Sequence, residues 1–244
     1  MSDALFLSVV LPAHNEITLL GSTVTTLGTG LDARGVDYEI IVVENGSRDG
    51  TLRLARLLAV QIERVRVLAL PVGDYGAALA SGFAAARGRY VVNVDVDYYD
   101  LAFVDAALAA LESGAADLVL ASKRAPGARD RRPVVRRFLT FGFANASRVL
   151  VGLEVSDAHG MKAMRREALG PIVDRCVMHR SVFDVEMVVR AAAAGIHARE
   201  IPASVVERRA PRTPVGRRTV ESLLGLVRLR WVLFRESRPR DGHH

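Results

Sequence analysis

Short apolar runs recur through the first half of the chain, at residues 7–11, 39–43, 65–69, 90–94 and 117–121. Most are continuous stretches of Val, Ile and Leu, without the apolar–polar alternation of a half-exposed strand. Strands buried on both faces read this way, which predicts an α/β protein whose mostly parallel sheet is covered by helices on either side. The segments between them carry helical patterns, from about Thr18, from about Gly50, over 77–86 and over 101–112. A stretch rich in Arg, Gly and Pro at 123–133 is marked by its composition as mobile. The pattern then predicts a helix over 134–151, a strand or turn near 160–164, helices at 167–174 and 183–194, a short strand at 197–201 and a terminal amphipathic helix over 220–234. No repeat and no linker divides these segments, so one domain over 1–235 is expected, with a polar, disordered tail at 236–244.

Ligands of such sheets collect past the carboxyl ends of the strands. Glu16, Glu44, Asp95 and Asp97 all fall just beyond strand ends. Asp95 and Asp97 are two positions apart, and on an ideal strand side chains at that spacing point the same way. Two carboxylates on one face suit Mg²⁺ or Mn²⁺, which keep phosphate oxygens and waters as further partners. The alternative is an Asp-rich turn where a strand leaves the sheet; acids gathered on one rim favour a site.

Charge extends this picture. The formal net charge is +6 and the pI about 10.1, which suits an anionic partner. The basic residues concentrate at 123–137 and 208–240, whereas the acidic motifs lie in the first hundred residues. No basic face with exposed aromatics and no known nucleic-acid module is evident, so no nucleic-acid partner is expected. Cys176 is the sole cysteine, which rules out an internal disulfide, and nothing in its neighbourhood suggests a thiol nucleophile. The first residues lack a basic leader, and no run approaches the roughly 20 apolar residues that span a bilayer. A cytoplasmic protein is expected. Its Arg-flanked terminal helix, with Trp231 and Phe234, offers contact with the anionic inner face of a membrane.

Pro12-Ala13-His14-Asn15-Glu16, Glu44-Asn45-Gly46-Ser47-Arg48-Asp49-Gly50-Thr51 and Asp95-Val96-Asp97 resemble, in order and spacing, the PxYNE, DDGSxDGT and DAD signatures of family-2 glycosyltransferases. Asp157-Ala158-His159-Gly160-Met161-Lys162, Phe183-Asp184-Val185-Glu186 and Glu200-Ile201-Pro202 followed by Glu207-Arg208-Arg209 are similar to elements of the dolichol- or polyprenyl-phosphate mannose synthase branch. The resemblance covers about residues 5–235. It implies the GT-A fold, a single Rossmann-like, mostly parallel central sheet with flanking helices, and metal-dependent, inverting transfer of a hexose from a nucleoside-diphosphate sugar.

The same resemblance implies roles for individual residues. Asp97 is the leading Mg²⁺ or Mn²⁺ ligand, and Asp95 joins it or meets the ribose or the metal's water shell. Glu16 and Glu44 hold base and ribose between apolar walls from Pro12 and Val43, with Val96 beside them. Lys123 and Arg208 stand where the branch carries cations for the departing diphosphate, and Asp157 matches a branch acid. Arg136, Arg137 and Thr140 receive the phosphate of a lipid acceptor, and Glu186 holds an acceptor group or caps that network. Asn45, Tyr99, His159 and Pro214 depart from the branch pattern. An acceptor phosphate arrives ionised, whereas a hydroxyl would require Asp157 or His159 as a base. The expected acceptor is anionic, with polyprenyl phosphate first. A soluble acceptor and a non-catalytic nucleotide-sugar-binding protein are the alternatives.

Overall fold

The computed structural model describes residues 5–130, 134–180, 182–205 and 215–237. Strand and helix alternate from the start. β1 (Leu7–Ala13) leads to α1 (Leu20–Asp32), β2 (Tyr38–Asn45) to α2 (Thr51–Gln61), β3 (Val65–Leu70) to α3 (Tyr75–Ala85) and β4 (Tyr90–Asn93) to α4 (Leu101–Glu112). β5 (Leu118–Ser122), β6 (Arg129–Asp130), α5 (Val134–Val151), β7 (Lys162–Arg165) and α6 (Arg166–Val173) follow. The chain continues with α7 (Val182–Ala193), β8 (Ala198–Pro202), β9 (Ser204–Val205) and α8 (Val215–Ser237).

Seven strands form one sheet in the order β3-β2-β1-β4-β7-β5-β8, and β6 and β9 pair separately. The sheet is parallel except at β7, which runs antiparallel between β4 and β5. The segment expected as a strand or turn near 160–164 is therefore a central strand. Because it is reversed, its start lies on the same rim as the ends of β4 and β5.

Successive side chains of one strand enter opposite layers, and both layers are buried, which is why the strand sequences are continuously apolar. Val9, Leu11, Ile40 and Val42 join α1, α2 and α4 on one side. Val10, Ile41 and Val43 join α3, α6, α7 and α8 on the other. Leu226 and Leu229 anchor α8 in that second layer. A side chain at Gly225 would place its Cβ 2.5 Å from Val182 Cγ2, so glycine is what lets α8 lie against the start of α7. Val220, Leu223, Leu224, Val227, Trp231 and Phe234 form an exposed stripe along the same helix. α8 also runs further than the sequence pattern suggests. Glu236, expected in the disordered tail, is held by Arg190 at 2.7 and 2.9 Å. Residues 238–244 lie outside the described residues.

Candidate functional site

A cleft of about 880 Å³ opens past the carboxyl ends of β1, β2 and β4. Pro12, Ala13, Glu16, Asn45 and the segment Asp95–Asp97 line its sheet side. Gly73–Tyr75 at the start of α3, Met178–Arg180, and Glu221, Leu224, Gly225 and Arg228 of α8 line the rest. The loops after β1, β2 and β3 brace one another. His14 Nδ1 donates to the Asn45 carbonyl at 2.6 Å, and Asn45 Oδ1 accepts from Asp74 N at 2.8 Å. Asn15 takes φ 55°, which Asn tolerates, and its Oδ1 accepts from Arg48 N at 2.9 Å. Gly46 has φ 65°, and a Cβ there would meet the Gly73 and Val72 backbone at 2.9 Å, so only glycine lets these loops close.

β4 pairing continues as far as Val94, whose N–H donates to Val10 O at 3.0 Å. The chain then turns, and Asp95 and Tyr98 exchange both backbone hydrogen bonds, at 3.0 and 3.1 Å. The acids therefore sit on a tight turn and not on the ideal strand that the i, i+2 spacing suggested. Val96 between them is buried, and its carbonyl accepts from Thr23 Oγ1 at 2.7 Å, which anchors the turn. Both acids line the cleft. Tyr75 donates its hydroxyl to Asp95 Oδ1 at 3.0 Å. Burial and the charge of Asp97 push Asp95 up to about 6, against that hydrogen bond. Among the described residues no group of three or more His, Cys, Asp or Glu side chains is arranged for a metal. A cation at Asp95 and Asp97 would therefore draw its other oxygens from ligand phosphates and water, as Mg²⁺ and Mn²⁺ do.

Pro12, Glu16, Asp95, Val96 and Asp97 are thus brought together, whereas Glu44 and Val43 do not line this cleft. Glu44 is buried, and its Oε1 accepts from Ser47 N at 2.6 Å, so its carboxylate holds its own loop. Val43 packs in the core beneath Gly82 of α3. Lys123 and Asp157 pair at 3.6 Å in a separate cluster at the end of β5. Asp157 Oδ1 accepts from His159 N at 3.0 Å, and among the described residues Oδ2 is buried without a hydrogen bond. Burial lowers the His159 pKa, although Asp184 and Asp157 pull it upward. This cluster borders α5 through the edge contact of His159 with Phe143 and the stacking of Arg124 on Phe141. On α5 Arg137 is exposed and Thr140 half-buried, while the Arg136 side chain and all of Arg208 lie outside the described residues. Glu186 is fully buried and accepts from Val177 N, Met178 N and Arg190 Nε. It supports the 177–180 loop from behind and does not line the cleft.

Other functional candidates carried no role in the sequence reading. Lys162 and Asp184 form a fully buried ion pair at 2.9 Å, and Lys162 Nζ also donates to Gly160 O at 2.8 Å. Asn93 ties the same segment to β4 by accepting from Lys162 N at 3.1 Å. A lone Lys among Met161, Ala163 and Met164 is the signal that a buried acid must face it. Tyr75, Arg180, Glu221 and Arg228 reach the cleft from segments distant in sequence, and no local pattern marks them.

The profile described as Glycosyl transferase family 2 matches residues 8–172. The glycosyltransferase AglD of Haloferax volcanii is 32% identical over 203 residues, which cover 80% of this chain and 32% of AglD. The chain thus spans about a third of that relative's length. The dolichyl-phosphate beta-glucosyltransferase of Dictyostelium discoideum is 26% identical over 248 residues, covering 94% of this chain and 75% of that protein. Glucosyl-3-phosphoglycerate synthase from Mycobacterium tuberculosis, solved with Mn²⁺, UDP-glucose and phosphoglyceric acid, matches with a TM-score of 0.68 at 22% identity. That match covers 93% of this chain and 80% of the synthase, and the shared architecture is the GT-A fold implied by the sequence motifs.

Proposed function

The chain belongs to glycosyl transferase family 2, and on that premise we propose that it moves a hexose, with inversion, from a nucleoside-diphosphate sugar to an anionic acceptor, polyprenyl phosphate in the first instance. The observation that carries this reading is the convergence of Glu16, Asp95 and Asp97, from two strands, on one cleft. Glu16 and Pro12 would receive the nucleoside. Asp95 and Asp97 would hold Mg²⁺ or Mn²⁺, whose charge would offset that of the leaving diphosphate. Burial, and after it the charge of Asp97, raises Asp95, a cost that a divalent cation bound there would offset. Arg208, beyond the described residues, would add positive charge for the same leaving group, whereas Lys123 lies with Asp157 outside this cleft.

An oxygen of the acceptor phosphate would attack the anomeric carbon from the side opposite the diphosphate, whose bond to the sugar breaks. That oxygen is already anionic, so no side chain has to remove a proton. Asp157 would then serve to hold Lys123 in place, beside the α5 residues Arg136, Arg137 and Thr140 that would meet the acceptor. The lipid reading is supported by Phe138 and Phe141 on α5 and by the apolar stripe on α8, all exposed beside Arg137, Arg230 and Arg235. No helix among the described residues is long and apolar enough to cross a membrane. Contact through these amphipathic surfaces would be peripheral, at the inner face.

Calorimetry with UDP and Mn²⁺ tests the donor site: Asp97→Ala should lose metal-dependent binding, and unchanged affinity would remove the metal assignment. Transfer from UDP-glucose and GDP-mannose to polyprenyl phosphate, paired with co-sedimentation on anionic liposomes, tests the acceptor. Transfer only to a soluble phosphate such as phosphoglycerate, with no liposome binding, would replace the lipid reading with the soluble one.

A further inference from the structure

An ion pair closes one side of the cleft mouth. Arg180 Nη1 lies 3.1 Å from Glu221 Oε2, joining the loop between α6 and α7 to the first half of α8. The backbone of Arg180 is fixed from below. It takes φ 55°, and its N–H donates to Asp74 Oδ1 at 2.8 Å, the same oxygen that caps α3 by accepting from Ala77 N at 3.0 Å. Gly76 permits this docking, since a Cβ there would fall 2.7 Å from Phe183 Cβ and 2.8 Å from Arg180 N. The next residue after Asp74 is Tyr75, which holds Asp95, so Arg180 and the acid pair are braced by one helix start.

Glu221, Leu224, Gly225 and Arg228 share one face of α8 and all line the cleft. Glu221 and Arg228 stand two turns apart, about 10 Å along the axis. Among the described residues, Arg180 and Arg228 are the arginines that line the cleft, whose other charged groups include Glu16, Asp74, Asp95 and Asp97. A phosphate-bearing ligand in this cleft would meet those acids as well as these two guanidiniums.

We infer that Arg180, with Arg228 also lining the cleft, forms a phosphate subsite at the cleft mouth, and that Glu221 pairs with Arg180 as an internal anion which a phosphate-bearing ligand displaces. The inference rests on the transferase reading and adds to it a binding pair and a built-in competitor. Exchange is favourable because the existing pair is solvent-exposed, with Arg180 at 66% and Glu221 at 41%, and such pairs are weak. A phosphate offers several anionic oxygens to the same guanidinium and supports the stronger, charge-assisted contact. The phosphate comes either from the donor's diphosphate or from the acceptor.

The test is calorimetry on the full chain with two probes, UDP with Mn²⁺ and farnesyl monophosphate alone, and melting curves confirm that each variant is folded. Glu221→Gln should tighten binding roughly two- to fivefold, the scale of an exposed ion pair. Arg180→Gln and Arg228→Gln should weaken it, and Glu221→Gln should bring no gain once Arg180 is Gln. A gain with UDP assigns the subsite to the donor, and a gain only with farnesyl phosphate assigns it to the acceptor. Weaker binding by Glu221→Gln, no change with either probe, or a gain that persists without Arg180 overturns the inference and leaves the ion pair a tether for α8. If UDP binding is intact and Asp97-dependent while Glu221→Gln is silent, this inference alone fails. If UDP binding does not depend on Asp97, it is the donor reading that fails.

Discussion

Removing either member of the Lys162–Asp184 pair should cost far more stability than removing both. The two charges lie 2.9 Å apart with side-chain exposures of 0% and 1%. At an effective dielectric constant of about 20, that separation corresponds to a gross attraction of about 6 kcal/mol. Most of it offsets the cost of taking two ions out of water, so the intact pair contributes little net stability. Lys162→Met instead leaves a buried carboxylate without its cation and removes the stronger of the two donors to Gly160 O, leaving Asn93 Nδ2 at 3.3 Å. A loss of about 3–5 kcal/mol is expected for Lys162→Met, and a similar loss for Asp184→Leu. The double variant replaces the pair with apolar side chains and should lose less than either single one. Urea denaturation followed by circular dichroism reads these values from the midpoints, provided the slope of free energy against urea is unchanged. Single losses under about 1 kcal/mol, or a double variant whose loss equals the sum of the singles, would refute the claim that the charges depend on each other.

Three further expectations follow from individual contacts. Gly82→Ala should destabilise by about 1–3 kcal/mol despite the better helix propensity of Ala, because its Cβ would lie 2.3 Å from Val10 Cγ1, and urea midpoints equal to wild type would contradict that packing. Burial pushes Glu39 upward, but hydrogen bonds from Arg66, Ser8 and Arg87 prevail and hold it below its ordinary 4.5. Its carboxylate therefore adds stability that is present above the unfolded value and lost as pH falls through the lower folded value. The stability gap between wild type and Glu39→Gln should narrow from pH 7 towards pH 3, and a constant gap would be the contrary result. Burial, followed by the Glu186 charge, raises the Cys176 thiol to about 12, so iodoacetamide at pH 8 should label it at least about tenfold more slowly than an ordinary thiol of pKa 9.0. Rapid labelling of the native chain would show that the thiol is not so held.

Much of this protein was determined by local sequence. A strand buried on both faces must be apolar at every position, so β1, β2 and β4 are legible as runs, and the residues just past them are legible as a rim. Pro12, Glu16, Asp95 and Asp97 could be placed on that rim because strand ends are a property of a few consecutive residues. The tertiary structure decided what the rim residues do there. Glu44 turns its carboxylate onto its own loop at Ser47 N, and Val43 enters the layer beneath α3, because a one-residue step along a strand exchanges one face for the other. The reversal of β7 brings Lys162 to Asp184 and sets the Lys123–Asp157 pair beyond it, contacts that depend on strand order. Arg180, Glu221 and Arg228 reach the cleft only because Gly76 and Gly225 let two distant segments approach closely. Periodicity reports which faces of a segment are apolar. Which partner each face meets is settled by packing between residues far apart in the chain, and that information is not carried by any short stretch of it.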